Sequence, residues 1–219
     1  MFDFDGVIAN SEPLHYRAYR DVLESSGIAF PEKEYYDRYL GYDDMGVFKA
    51  LAADRGLSWT TDRIAGLVRS KADTIERLAQ NASILFPGAE AAIRRAAARM
   101  PLAIASGALG IEIRRVLDRE GLTSSFKAIV AAEDTPVSKP AADPYRKAVA
   151  LLVEACGPLQ PAECVAIEDS PWGLQSAKAA GLHTVAVAHT YSRAALEADL
   201  VISSLDDLDI AALERLCAT

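Results

Sequence analysis

Residues 164–187 read CVAIEDSPWGLQSAKAAGLHTVAV and place two short apolar runs on either side of a helical segment. The runs CVAI and TVAV at its two ends have the length of β-strands. Between them, Ser170 is a residue preferred at the start of a helix, and Gly181 is the residue preferred just after a helix ends. The stretch therefore predicts a strand, a helix and a second strand, the unit from which parallel sheets are built.

Further apolar runs of strand length occur along the chain, at residues 1–4, 102–105, 128–131 and 200–202. All of the runs are continuous, which is typical of strands that are covered on both faces. Helical spacing of apolar residues separates the later runs, at Leu109, Ile113, Val116 and Leu117, and at Tyr145, Ala148, Val149 and Leu152. This alternation predicts an α/β fold, a doubly wound parallel sheet connected by right-handed crossovers.

The interval from residue 12 to residue 85 contains no convincing strand and has the apolar spacing of helices. Helices are predicted over residues 14–23, 43–55 and 60–80. We therefore predict a Rossmann-like core formed by residues 1–11 and 86–219, with residues 12–85 inserted into it as an all-helical cap domain.

Composition excludes several classes of function. The 219 residues include 23 Lys and Arg and 31 Asp and Glu, which gives a net charge of −8. This negative charge disfavours binding to nucleic acid or to an anionic membrane. The three cysteines form no CxxC pair, which argues against a disulfide framework and a zinc site. No signal peptide or membrane-length apolar stretch is visible, so we expect a cytoplasmic protein.

Polar side chains follow several of the apolar runs: Asp3 and Asp5; Ser106; Glu133, Asp134 and Lys139; Glu168 and Asp169. Ligands of an open parallel sheet bind beyond the carboxyl ends of its strands, where these side chains would meet. Their carboxylates would repel one another unless a cation neutralised them, and carboxylate oxygens suit Mg²⁺. With a lysine and a serine hydroxyl nearby, the sequence predicts a magnesium-dependent site for a phosphoryl group.

The same residues fall in four ordered motifs: DFDGV at 3–7, SGA at 106–108, SKPAADPY at 138–145 and IEDSPWGLQSAKAAG at 167–181. In these motifs the chain resembles the haloacid dehalogenase superfamily of hydrolases. It is most similar to the subgroup with a helical cap after the first strand, which includes β-phosphoglucomutase-like and phosphoglycolate phosphatase-like enzymes. The resemblance covers nearly the whole chain and implies a phosphatase.

Specific roles follow from the resemblance. It implies that Asp3 is the nucleophile that forms an aspartyl-phosphate, and that Asp5 acts as general acid and then as general base. It implies that Mg²⁺ is held by Asp3, the backbone carbonyl of Asp5 and Asp169, with Glu168 either close by or a further ligand. The phosphoryl group would be bound by Ser106, Gly107 and Lys139.

The resemblance also implies that the cap selects the substrate. His15 and Lys71 are candidates for substrate contacts, and a solvent-exposed side chain is the alternative for Lys71. His183 and His189, at the borders of the TVAV run, are expected to be structural or surface residues.

Phosphatase activity on a small phosphorylated metabolite, such as a sugar phosphate, is the leading hypothesis. A sugar-phosphate mutase of the β-phosphoglucomutase type and a catalytically silent phosphometabolite sensor are the alternatives. Mutases of this subgroup carry a cap arginine for a second phosphate, whereas this chain has Asp43 and Asp44 there, which favours the phosphatase. We expect a monomer or a weak dimer, with neither nucleic acid nor membrane as a partner.

Overall fold

The computed structural model of the chain describes residues 1–40, 42–79 and 83–218. The chain divides into two compact units, one formed by Met1–Asn10 with Ile84–Thr219 and the other by Ser11–Ser83. The second unit starts one residue earlier and ends two residues earlier than the interval 12–85 expected for the cap. Among the described residues, none of the helices combines the length and the apolar character that crossing a membrane requires.

The first unit contains a parallel sheet. Its strands are β1 (Leu102–Ala105), β2 (Phe126–Val130), β3 (Val165–Glu168), β4 (His183–Val187) and β5 (Leu200–Ile202). All of the paired strands run parallel, β1 with β2, β3 with β4, and β4 with β5. Each of these strands overlaps an apolar run of the sequence, so the doubly wound α/β fold class is confirmed.

The first residues of the chain lie at the centre of this sheet. Phe2 forms parallel bridges to Ile104 in β1 and to Ile167 in β3. The Phe2 amide donates to the carbonyl of Ala103 and the Asp3 amide to the carbonyl of Ile167, both at 2.9 Å. The predicted strand at residues 1–4 is thus present as a bridged segment rather than as a full strand.

We call residues 1–4 the first segment. It makes the sheet continuous, in the spatial order β2, β1, first segment, β3, β4, β5. After the first segment, the chain adds β1 and β2 on one side of it and then returns to add β3, β4 and β5 on the other side. The strand order therefore reverses between the first segment and β3. Open α/β sheets bind their ligands outside the carboxyl ends of the strands at such a reversal. The topology therefore singles out the residues that follow Phe2 and Ile167, which are Asp3, Glu168 and Asp169.

Helices cover both faces of the sheet. They are α5 (Ala89–Ala97), α6 (Gly110–Arg119), α7 (Asp143–Cys156), α8 (Pro171–Ala179) and α9 (Ile210–Leu216). The bulky side chains of Phe2, Ile104 and Ile167 pack in one cluster with α5, α6 and α9. The small side chains of Ala103 and Ala166 lie in another cluster with α7 and α8. Small residues on this second face let α7 approach the strands closely.

The second unit is helical, with α1 (Glu12–Glu24), α2 (Glu32–Arg38), α3 (Asp44–Asp54) and α4 (Thr61–Ala79). The predicted helices correspond to α1, α3 and α4, and Gln80, the last residue of the third prediction, lies outside the described residues. Helix α2 was not predicted. It has seven residues, of which Tyr35 alone is buried, so its sequence lacks the repeated apolar spacing of a longer helix. Aromatic rings fill the core of the unit, with Tyr19 packed edge-on against Phe48.

We expect Phe2→Ala to lower the free energy of unfolding by about 3–5 kcal/mol, because a buried aromatic side chain at the centre of the sheet leaves a cavity. Phe2 is 1% exposed and packs edge-to-face on Phe126. Urea unfolding followed by circular dichroism measures the loss. In the control Ile111→Ala, at a residue that is 63% exposed, the change should stay within about 0.5 kcal/mol. Equal losses in the two variants would contradict the central placement of Phe2.

Candidate active site

A tight turn follows Asp3. The amides of Ile8 and Ala9 both donate to the carbonyl of Phe4, at 2.8 Å. Gly6 lies in this turn with φ +77°, a conformation that favours glycine. A Cβ atom at Gly6 would also overlap the carboxylate of Asp169. Glycine is therefore required at this position for two reasons, the backbone conformation and the close approach of Asp169.

The end of β3 supplies Glu168 and Asp169, and α8 begins immediately after them. The Ser170 hydroxyl accepts a hydrogen bond from the Gly173 amide at 3.1 Å, which caps the helix as the sequence predicted. A Cβ atom at Gly173 would overlap the Glu168 carboxylate. The first turn of α8 is thus built around a buried carboxylate.

Three carboxylates converge at this edge of the sheet. Asp3, Glu168 and Asp169 are all buried, and each has a carboxylate oxygen within 4.8 Å of the other two. Oε2 of Glu168 has no hydrogen-bond partner among the described residues, although it is fully buried. A buried acceptor without a partner is costly unless an ion or water satisfies it. Three carboxylate donors, one of them with an oxygen that lacks a partner, fit Mg²⁺.

Lys139 provides one positive charge for this group. Its Nζ lies 2.6 Å from Oε1 of Glu168 and 2.9 Å from Oδ1 of Asp3. The Tyr145 hydroxyl donates to the same Glu168 oxygen at 2.6 Å. Since one ammonium faces three carboxylates, the group is short of positive charge when all three are ionised, and a divalent cation would balance it.

The pKa values reflect this crowding. Burial alone would lower the pKa of Lys139, but the charges of Asp3 and Glu168 outweigh burial and raise it, so Lys139 stays protonated. Burial and the charge of Asp3 raise the pKa of Glu168 against the opposing ion pair with Lys139. Burial raises the pKa of Asp169 to about 6, and a hydrogen bond from Thr190 partly opposes that rise.

The remaining residues expected at the core site lie on neighbouring loops. Ser106 is buried directly after β1, where its amide donates to the Val130 carbonyl at 2.9 Å and its hydroxyl accepts from the Ala108 amide at 3.1 Å. Gly107 faces open space. The side chain of Asp5 is exposed, outside the group of three buried carboxylates. Their roles towards a phosphoryl group stay predictions.

Two acidic residues that follow β2 have structural contacts instead. The carboxylate of Glu133 accepts from the Gly110 amide at the start of α6, at 3.0 Å. The carboxylate of Asp134 accepts from the Ala131 amide at 2.8 Å. Glu133 and Asp134 thus cap the amides of Gly110 and Ala131, and the group of buried carboxylates comprises Asp3, Glu168 and Asp169 without them.

His15 and Lys71 lie together in the helical unit. Lys71 is 2% exposed, with its Nζ 2.6 Å from Oδ1 of Asp44 and 2.9 Å from Nδ1 of His15. The Tyr19 hydroxyl donates to the same Asp44 oxygen at 2.6 Å. Burial, followed by the charge of Lys71, lowers the pKa of His15 to about 4, so its neutral ring accepts from the ammonium. A solvent-exposed Lys71 was one of the alternatives, and it is wrong.

Three other residues beside the site carry little local sequence signal. Tyr145 is predicted as an apolar position of a helix and as the last residue of the third motif, but neither prediction places its hydroxyl on Glu168. Thr190 hydrogen bonds to Asp169. His189, expected to be structural or on the surface, contacts the Gly6 carbonyl through Nδ1 at 2.9 Å. The usable signal was their position just beyond a strand or on a helix that covers the sheet.

The chain is similar in sequence and in fold to known proteins. The model of the haloacid dehalogenase-like hydrolase family matches residues 1–187. The chain is 27% identical to the fructose-1-phosphate phosphatase YqaB of Escherichia coli (strain K12), over 85% of this chain and 94% of that protein. It is 30% identical to hexitol phosphatase B of the same organism, over 95% and 92%. The crystal structure of CbbY from Rhodobacter sphaeroides in complex with phosphate superposes with a TM-score of 0.77 at 27% identity, covering 97% of each chain.

Asp169→Asn should stabilise the metal-free protein above neutral pH. The pKa of Asp169 is raised from 3.8 to about 6 on folding, so the folded protein loses stability as pH rises through that window. Removing the charge should raise the free energy of unfolding by on the order of 2 kcal/mol at about pH 8, and the gain should vanish near about pH 4. Urea unfolding in a chelator measures both values. A variant that is less stable than the wild type at the higher pH would contradict the crowding of the carboxylates.

Asp44→Asn should destabilise the helical unit by about 3 kcal/mol, because it leaves the buried ammonium of Lys71 without a charged partner. Lys71→Met should cost less, since Asp44 is partly exposed and keeps the Tyr19 hydroxyl. The matched control is Asp37→Asn, which breaks an exposed pair with Lys33 and should change stability by about 0.5 kcal/mol or less. Denaturant unfolding of the three variants tests this order, and similar losses for Asp44→Asn and the control would refute it.

Proposed function

The chain belongs to the haloacid dehalogenase-like hydrolase family, and we propose that it is a magnesium-dependent phosphatase that hydrolyses a small phosphorylated metabolite. The family match and the phosphatases among its relatives make it a phosphoric monoester hydrolase. One observation carries the proposal further. Carboxylates from the first segment and from β3, far apart in the sequence, meet in a buried group beside Lys139.

The ligand set that we propose for Mg²⁺ comprises Asp3, Glu168, Asp169 and the backbone carbonyl of Asp5. The donor chemistry and the orphaned oxygen of Glu168 support this choice. The ion, when bound, would neutralise charge on the carboxylates and on the phosphoryl oxygens. Lys139, which remains protonated, would bind a phosphoryl oxygen together with the Ser106 hydroxyl and the Gly107 amide.

The reaction that we propose has two displacements. A carboxylate oxygen of Asp3 attacks phosphorus while the bond from phosphorus to the ester oxygen breaks, and Asp5 gives its proton to that oxygen. Water then attacks phosphorus of the aspartyl-phosphate, and Asp5 accepts a proton from the water. The bond between phosphorus and Asp3 breaks, which releases inorganic phosphate and regenerates the Asp3 carboxylate. Burial of Asp3 and its contact with Lys139 hold the nucleophile in one orientation.

Sugar and polyol monophosphates are the substrate class that we propose, because relatives named for fructose 1-phosphate and hexitol phosphates cover nearly the whole chain. We retain His15 and Lys71 as candidates for selecting the substrate, now as members of one cluster with Asp44. The charge of Lys71 is already balanced by Asp44, so Lys71 would add little to the binding of a second phosphate. A mutase must bind a second phosphate, so this pairing supports a phosphatase. We also propose that the enzyme is cytoplasmic and a monomer or weak dimer.

Hydrolysis of p-nitrophenyl phosphate by the purified protein should require Mg²⁺ and should be lost in Asp3→Asn. Asp5→Asn should lower kcat by about 10²-fold or more, the scale of a positioned acid and base. The matched control is Asp118→Asn, an exposed residue of α6, which should keep wild-type activity. Released nitrophenolate provides the readout. Undiminished turnover in Asp3→Asn, or in excess chelator, would overturn the proposal.

A further inference from the structure

Three consecutive residues after β4, His189, Thr190 and Tyr191, contact separate parts of the candidate site. We call them the 189–191 segment. The Nδ1 of His189 donates to the Gly6 carbonyl at 2.9 Å. The hydroxyl of Thr190 hydrogen bonds to the Asp169 carboxylate. The ring of Tyr191 packs edge-to-face on Trp172, with centroids 5.8 Å apart. The segment therefore reaches the turn after Asp3, the end of β3 and the start of α8.

The His189 ring is held in one orientation. Because a carbonyl oxygen only accepts, the contact with Gly6 requires the proton on Nδ1. The ring also stacks on Phe86, with centroids 4.0 Å apart and an angle of 16° between the planes. Phe86 is itself joined to the turn, since its amide donates to the Ile8 carbonyl at 2.9 Å. The imidazole is thus fixed on one side by a hydrogen bond and on its face by an aromatic ring.

Gly6 transmits this restraint to the carboxylates. Its Cα lies so close to Asp169 that no Cβ would fit between them. Its amide donates to the Ala9 carbonyl at 3.0 Å, which closes the turn after Asp5. With His189 on the Gly6 carbonyl and Thr190 on the Asp169 side chain, two adjacent residues restrain both sides of this contact.

We propose that His189 is a positioning residue for the phosphatase reaction. Its hydrogen bond to Gly6, paired with that of Thr190 to Asp169, sets the separation between the turn that carries Asp3 and Asp5 and the carboxylate of Asp169. It thereby governs both Mg²⁺ affinity and kcat. The inference rests on the proposed function for its catalytic part, whereas its effect on the carboxylate group is independent of any substrate.

Two variants separate the hydrogen bond from the ring contact. His189→Phe keeps a ring against Phe86 and removes the donor, whereas His189→Asn keeps a donor at the δ position and removes the ring. We expect His189→Phe to lower kcat and Mg²⁺ affinity by about 10–100-fold, the range found when groups that orient metal ligands are lost. KM and the unfolding midpoint of the metal-free protein should change little. His189→Asn should restore most of kcat and affinity.

The matched control is His183→Phe, at the opposite end of β4, where the imidazole lies 3.9 Å from Asp199. It should keep the wild-type kcat and Mg²⁺ affinity. Calorimetric titration with MgCl₂ measures affinity without substrate, and p-nitrophenyl phosphate hydrolysis gives kcat and KM.

Wild-type affinity and kcat in His189→Phe would overturn the inference. Equal losses in His189→Phe and His189→Asn, accompanied by a lower unfolding midpoint, would also overturn it, because they would indicate packing alone. If the wild type binds Mg²⁺ but hydrolyses no phosphate ester, the proposed function fails while the calorimetric comparison still decides the role of His189. If the wild type binds no Mg²⁺, both fail.

Discussion

Asp3, Glu168 and Asp169 repel one another in a space from which water is largely excluded, and Lys139 supplies only one positive charge against them. Such a group persists only where the surrounding fold holds it. Two of its carboxylates fit because Gly6 and Gly173 have no side chain to overlap them. The repulsion among these carboxylates lowers the stability of the fold. The same fixed charges provide a strong electrostatic field for a cation and a phosphoryl group.

The order of the strands brings these residues together, because the strands that carry them are adjacent in the sheet. The first segment and β3 are neighbours at the point where the strand order reverses, so each contributes its carboxylates at the same level of the sheet. Lys139 and Tyr145 reach Glu168 from the side of α7, over the face lined by small alanines. Bulky residues occupy the opposite face. Lys139 and Tyr145 therefore reach the carboxylates from the face that has the smaller residues.

Much of this arrangement could be predicted from the chain alone, because continuous apolar runs and the residues that follow them depend on local sequence. The parallel sheet and the Ser170 cap are examples. Contacts that depend on tertiary packing could not be predicted. The burial of Lys71 requires α1, α3 and α4 to meet around Asp44, and the capping role of Glu133 requires the loop after β2 to lie against the start of α6. His189 carries no local signal, since its role depends on Gly6, which lies almost the whole chain away.

Calorimetric titration of Mg²⁺ into the metal-free wild type, Asp3→Asn and Asp169→Asn at about pH 7.5 tests the central claim most directly, because cation affinity depends on deprotonated ligands from both segments. The account predicts one Mg²⁺ per wild-type chain and strongly weakened binding in each variant. It also predicts proton release on binding, since the raised pKa values of Glu168 and Asp169 must fall when the cation arrives. Unchanged affinity in either variant would contradict a shared ion between the first segment and β3.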